Sequence, residues 1–181
     1  MNRLKGARCY LCGAMDRDPD GGITWRNDCR EQLKDIGIQW LDPTRKPLKI
    51  GNESEKARRI RKWKKVNGQY DYVAKEMKEI VGVDLHMVDV SDFLIVNLDM
   101  DIHACGTYNE IFLANSEKKP ILIHVEQGVV NAPDWLFGCI PHVYFFNTWE
   151  SLEDYILEVD NGDEGFEDET NRWYFFDWMG K

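Results

Sequence analysis

Residues 93–98 read Phe-Leu-Ile-Val-Asn-Leu, and this short run constrains the fold more than any other feature of the chain. A strand with one face in water alternates apolar and polar side chains. A strand that is apolar on both faces belongs in the middle of a sheet covered on both sides, which is the setting of parallel sheets. Four more short apolar runs accompany it, at 7–12, 38–41, 120–125 and 143–146. The segments between them carry helical spacing. Trp25, Cys29, Leu33 and Ile36 form one apolar stripe, with Thr24 as the expected cap and Gly37 as the stop. Further helices are expected over 54–66, capped by Asn52 or Ser54, over 70–81, and over 106–116. A short turn is expected at 133–137, and a last helix over 151–159 behind Thr148. Val88 falls at the start of the 93–98 strand on this reading.

Strands alternating with helices predict an α/β fold. The expected form is a flavodoxin-like or Rossmann-like, doubly wound, parallel five-stranded sheet in a single domain over 1–181. Ligands of such sheets bind outside the carboxyl ends of the strands. That rule directs attention to residues 13–23, 42–52, 97–106, 126–134 and 147.

Charge narrows the partners. The formal net charge is −9, which gives no overall attraction to nucleic acid or to an anionic membrane. Residues 56–65 nevertheless hold seven Lys or Arg, and residues 150–169 hold ten Asp or Glu without a base. Two solvated faces are the plain reading of these runs. A phosphate or nucleic-acid contact, or a contact between the two runs in different subunits, are the alternatives. No apolar run approaches the ~20 residues of a membrane span, and the basic first residues lack the apolar stretch of a signal peptide. The cysteines number five, an odd count at wide spacing, which favours free thiols and a cytoplasmic setting. Cys9 and Cys12 have zinc-like spacing, but residues three apart in a strand face opposite ways, so no metal is expected. Cys105 is expected to be a small packed residue. No glycine-rich dinucleotide or phosphate-loop signature occurs, and no cofactor is expected.

The densest local chemistry is Asp92-Phe-Leu-Ile-Val-Asn-Leu-Asp99-Met-Asp101 followed by Gly106-Thr107-Tyr108-Asn109-Glu110. A strand running out at Asp99, a loop holding Asp101, His103 and Cys105, and a helix opening at Gly106 or Thr107 place Glu110 in a first helical turn near the sheet's carboxyl end. The helix macrodipole there favours an ionised carboxylate. Such a group can attack an anomeric carbon while a neighbouring acid assists the leaving group. The competing reading is structural: Thr107 and Glu110 have the spacing of a capping box. His103, in the ligand-side loop, is either a substrate contact or a surface histidine.

Four segments together resemble the nucleoside 2-deoxyribosyltransferase family. Tyr10-Leu11-Cys12-Gly13-Ala14 is similar to that family's first-strand Tyr-Leu-Ala-Gly-Pro, and Asp92 with its apolar strand is similar to the family's Asp-strand segment. Gly106-Thr107-Tyr108-Asn109-Glu110-Ile111-Phe112-Leu113-Ala114 resembles Gly-Thr-x-x-Glu-(Ile/Leu)-Gly-x-Ala, and Lys119-Pro120-Ile-Leu-Ile follows as the next strand. The likeness covers roughly 7–41 and 85–158. It implies that Glu110 is a nucleophile oriented by Tyr10. It implies that Asp92 is a sugar or base contact and proton donor. Gly13, Asp16, Asp99, His103, Gly106, Thr107 and Trp178 are the expected substrate contacts. The implied partners are a nucleoside or nucleotide and a free nucleobase, usually within a homo-oligomer. The implied reaction passes a deoxyribosyl group between bases. Hydrolysis of nucleoside 5′-monophosphates, as in a related branch, and a non-catalytic nucleotide-binding module are the alternatives.

Departures from the pattern bear on these alternatives. The monophosphate branch has a Ser where this chain has Ala104, leaving Arg17, Arg26 or Thr24 as phosphate candidates. Phe112 replaces a glycine and is expected to change the packing behind the nucleophile. Residues 44–87 match nothing in the pattern and read as a helical insertion. The tail over 160–181 is acidic, then aromatic. Tyr174, Asp177 or Trp178 either closes a base pocket or belongs to a patch packed on the chain's own core.

Overall fold

The computed structural model describes residues 2–47, 49, 51, 53–162 and 170–173. Its centre is a parallel five-stranded sheet in the order β2-β1-β3-β4-β5. The strands are β1 (Arg8–Gly13), β2 (Gln39–Leu41), β3 (Phe93–Leu98), β4 (Ile121–Val125) and β5 (Phe145–Phe146). This is the flavodoxin-like order, whose topological switch point lies between β1 and β3. Every residue of β3 and β4 is buried, as their unbroken apolar runs require. β5 is shorter than the apolar run 143–146, because His142–Tyr144 closes into a 3-10 turn before pairing begins.

The helices are α1 (Ile23–Gln32), α2 (Glu55–Val66), α3 (Tyr70–Val90), α4 (Cys105–Ser116), the single turn α5 (Asp134–Phe137) and α6 (Trp149–Asn161). Ser54 and Thr148 cap α2 and α6, their hydroxyls accepting from Ala57 N and Ser151 N. The stripe Trp25–Ile36 divides into α1 and a 3-10 turn over Lys34–Ile36.

Thr24 does not cap α1. Gly22 holds the cap position in a left-handed conformation, and the Asp20 carboxylate accepts from the backbone N–H groups of Gly22, Ile23 and Thr24. A Cβ at Gly22 would lie 2.3 Å from the Arg26 guanidinium and 2.5 Å from the Ala14 carbonyl, so only glycine fits.

α3 runs nine residues past its expected end at 81. Ile80, Asp84 and Val88 are its buried residues, a stripe at spacings of four that carries the helix through Gly82. Glycine inside a helix costs about 1 kcal/mol relative to alanine, and burial of this stripe offsets it. Val88 therefore belongs to the last turn of α3, not to the start of β3.

The sheet is covered on both faces. Tyr10 and Cys12 project from β1 towards α4, whereas Gly13 lies against Trp25 of α1. Alternation along a strand puts those contacts on opposite faces. On the α1 side Trp25 stacks on Trp149 of α6, and Trp149 stacks on His124 of β4. From the tail, Trp173 is fully buried against Phe93 and donates to the Tyr155 hydroxyl at 3.0 Å. Tyr174, Asp177 and Trp178 lie outside the described residues.

Candidate active site

At the carboxyl end of β1 one carboxylate is held by two donors from the strand beside it. The Tyr10 hydroxyl donates to Glu110 Oε1 at 3.0 Å, and the Cys12 thiol donates to Glu110 Oε2 at 3.0 Å. Tyr10 and Cys12 are alternate residues of β1, so both face α4. Both are fully buried, while Glu110 keeps partial exposure.

Glu110 reaches this position differently from the sequence expectation. α4 begins at Cys105, its cap residue Ala104 makes no side-chain cap, and Glu110 stands in the second turn. The Thr107–Glu110 capping box does not form, because Thr107 lies inside the helix and the carboxylate is committed to Tyr10 and Cys12. The electrostatic outcome also differs. Instead of being held ionised by the helix start, the carboxyl is pushed up to about 7, first by burial and then by the charge of Asp84. The hydrogen bonds from Cys12 and Tyr10 and the charge of Arg26 work in the opposite direction. Burial removes water from the charged form, while donors aimed at the carboxylate favour it.

Asp84 is the carboxylate that the sequence reading missed. It projects from the buried stripe of α3 and accepts from Lys46 Nζ at 2.5 Å. Burial raises its carboxyl to about 6 against the pull of Lys46, which Glu53 shares at 2.5 Å. Its signal was present in the sequence: a helix read through to Val90 puts an acid between Ile80 and Val88 on a core-facing stripe, and an acid there needs a partner or a task.

Asp92, expected beside Glu110, is elsewhere. It precedes β3 at the amino end of the sheet and accepts from Arg8 N at 2.7 Å and from the Arg8 guanidinium at 3.1 Å. Glu110 lies at the level of Cys12, which pairs with Val96, and a rise of about 3.3 Å per residue puts Asp92 roughly 13 Å further down the strand.

The other expected contacts are spread around the carboxyl end. Gly13 ends β1 under Trp25, and Asp16 and His103 are exposed in their loops. Gly106 and Thr107 lie in the first turn of α4, where the Thr107 carbonyl is 3.8 Å from the Cys12 thiol. Asp99 accepts from Asp101 N at 2.9 Å and from the Gln127 amide at 2.7 Å. Phe112 is exposed, and Cys105 is exposed rather than packed.

The phosphate candidates divide in the same way. Arg26 is wholly buried and donates to the carbonyls of Leu11, Gly22 and Gly13 at 3.1, 2.8 and 3.0 Å. The amide of Thr24 is taken by Asp20 at 2.9 Å, and Arg17 is exposed.

A cavity of about 560 Å³ opens at the carboxyl end on the α1–α6 side of the sheet. Trp25, Trp149 and Asn97 line it with Asp18, Asp20, Asp28, Asp99, Glu126 and Glu153. Glu110 and Tyr10 do not line it, whereas Asp99, an expected substrate contact, and Thr24, a phosphate candidate, do.

No protein-family model matches this chain, and no curated protein matches it. Solved structures do. A 2-deoxyribosyltransferase from Bacillus psychrosaccharolyticus matches with a TM-score of 0.57 at 15% identity, over 82% of this chain and 92% of its own. A 2-deoxyribosyltransferase from Leishmania mexicana matches with a TM-score of 0.54 at 20% identity, over 84% of this chain and 97% of its own. The chain therefore has the fold of these enzymes, which is the fold class that its alternating strands and helices predict.

Proposed function

We propose that this protein cleaves the N-glycosidic bond of a (deoxy)nucleoside and passes the sugar to a second nucleobase. The carboxylate of Glu110 is the nucleophile. One of its oxygens attacks the anomeric carbon, the bond to the nucleobase breaks, and the bonding pair leaves with the base. The resulting glycosyl ester is then attacked by another base, which restores the carboxylate. The observation that carries this reading is the doubly held carboxylate of Glu110, partly exposed at the carboxyl end of β1 beside the switch point of the sheet.

The two donors fix the plane of the carboxylate and leave it lone pairs for attack. Asp84 takes the part of the second carboxylate. Its hydrogen bond from Lys46 keeps it an acceptor, suited to a sugar hydroxyl or a base N–H, and its charge raises the basicity of Glu110. Asp92 has no part in the chemistry on this reading.

An unphosphorylated nucleoside suits the surroundings. The amides at the start of α1, where a doubly wound sheet commonly takes phosphate, are filled by Asp20. The donors of Arg26 are spent on backbone carbonyls.

The test is a panel of nucleosides and nucleoside 5′-monophosphates incubated with and without a second base, with free and exchanged bases followed by chromatography. A 2′-fluoro nucleoside should leave a mass adduct on the peptide containing Glu110. Glu110→Ala should abolish both exchange and adduct. Full exchange in that variant removes the nucleophile assignment.

A further inference from the structure

Both oxygens of Glu110 carry a donor, but the donors differ. Tyr10 supplies a phenol to Oε1, and Cys12 supplies a thiol to Oε2, each at 3.0 Å. A thiol is the weaker donor of the two. The thiol is thus the kind of donor that a carboxylate oxygen gives up more readily on bonding to carbon.

The thiol is built to stay a donor. Cys12 is fully buried, and burial together with the neighbouring Glu110 charge pushes its ionisation well up. It has a second acceptor within reach, the Thr107 carbonyl at 3.8 Å. Thr107 lies one turn before Glu110 on α4, so the two acceptors flank the same sulfur. Rotation about the Cβ–Sγ bond carries the S–H from one to the other. A buried donor that lost its only acceptor would cost free energy. This one has somewhere to go.

We propose that Cys12 is a positioning residue for Glu110. Its thiol aims Oε2 while the carboxylate is free, then swings to the Thr107 carbonyl when Oε2 becomes bonded to the sugar carbon. The pattern that this strand resembles has alanine at the same place, so the thiol is a feature of this chain. The inference rests on Glu110 being the nucleophile, but the contact itself is testable without any substrate.

The experiment compares wild type with Cys12→Ala and Cys12→Ser. Protein labelled with ¹³C at the glutamate side-chain carboxyl is titrated by NMR, and the Glu110 resonance is identified by its loss in Glu110→Gln. Removing a donor that favours the ionised form should raise the Glu110 midpoint in Cys12→Ala. Serine keeps a donor, so Cys12→Ser should titrate at or below wild type. The S–H stretch in the infrared should shift as Glu110 titrates and lose that dependence in Glu110→Gln. In base exchange, Cys12→Ala should lower kcat with KM little changed, because the attacking oxygen loses the group that aims it, and Cys12→Ser should restore it.

Equal midpoints in all three proteins overturn the proposal. So does an equal rise in the alanine and serine variants, which would mark packing rather than hydrogen bonding. If wild type shows the titration pattern but exchanges no base, the contact stands and the proposed reaction fails, so the two failures are distinguishable.

Discussion

Glu110→Gln should make the protein more stable at pH 8 while removing its activity. The wild-type carboxyl is raised from 4.5 to about 7 in the folded chain. The folded state then binds this proton more tightly than the unfolded state does. Stability from this group is fully present below about pH 4.5 and is lost as pH rises through 7. At 1.36 kcal/mol per pH unit, the ionised carboxylate costs about 3 kcal/mol once the window is crossed. Glutamine has no charge to bury. Its amide accepts one of the two donors, and its N–H finds the hydroxyl oxygen or the sulfur of the other. The stability difference between glutamine variant and wild type should therefore move by about 2–3 kcal/mol in favour of the variant between pH 5 and pH 8. In a chain of this length that corresponds to about 5–10 °C in Tm. The assay is urea unfolding of both proteins across that range, read as a difference so that other titrating groups cancel. In wild type, kcat/KM should rise through the same window, because the nucleophile must lose its proton. A stability difference that stays flat from pH 5 to pH 8 would refute the reasoning, since it would mean that no carboxylate charge is being buried.

Asp84→Asn removes a negative neighbour of Glu110, so the rising limb of kcat/KM should shift to lower pH while KM rises; an unmoved limb would disconnect Asp84 from the nucleophile. Asp92→Asn should leave kcat unchanged and lower stability by about 1 kcal/mol, because the Arg8 side of the pair is nearly half exposed and the asparagine oxygen can still accept from Arg8 N. A large loss of kcat in that variant would return Asp92 to the reaction. Gly13→Ala puts a Cβ 2.8 Å from Trp25 Cζ2 and 3.0 Å from the Asn97 carbonyl oxygen, and the overpacking should lower stability by about 1–3 kcal/mol in urea unfolding.

The parts of this fold that were legible in the sequence are those where one physical signal dominates. β3 and β4 are unbroken apolar runs, and α2 and α6 start at hydroxyl caps. The less legible parts are those where two signals compete. The helix read over 70–81 stops where Gly82 lowers helix propensity, but the Ile80–Asp84–Val88 stripe outweighs that cost, and ending the helix early hid the one acid that this stripe buries. At α1, Thr24 looked like a cap, yet an aspartate four residues earlier reaches the same amides across Gly22. In the candidate site, Tyr10 and Glu110 are two local patterns that the β1–α4 contact joins, and their meeting was expected. Asp92 has the same residue type and the right neighbourhood in sequence. A strand has two ends, however, and the residue before a parallel strand emerges at the end away from the ligand. Order along the chain suggests which residues share a strand, and only direction says which end each one occupies.

The electrostatics of the carboxyl end tie the site to its substrate. A carboxylate raised to about 7 by burial and by a second acid would be a poor feature in a phosphate-binding site, where nearby cations would pull it down. Here three cations among the described residues have their donors engaged by the protein itself. Arg26 holds three carbonyls at the end of β1 and the start of α1, Lys46 is divided between Asp84 and Glu53, and Arg58 donates to the Met15 carbonyl at 2.5 Å. Their job is to fix the backbone and the second carboxylate. Burial and the charge of Asp84 keep Glu110 basic against the opposing charge of Arg26, and on the proposed reaction two carboxylates suit the positive charge that grows at an anomeric carbon as its base departs. A 5′-phosphate brought to Glu110 and Asp84 would meet two carboxylates, so on the proposed reaction the acids that raise the nucleophile's basicity also favour an unphosphorylated sugar.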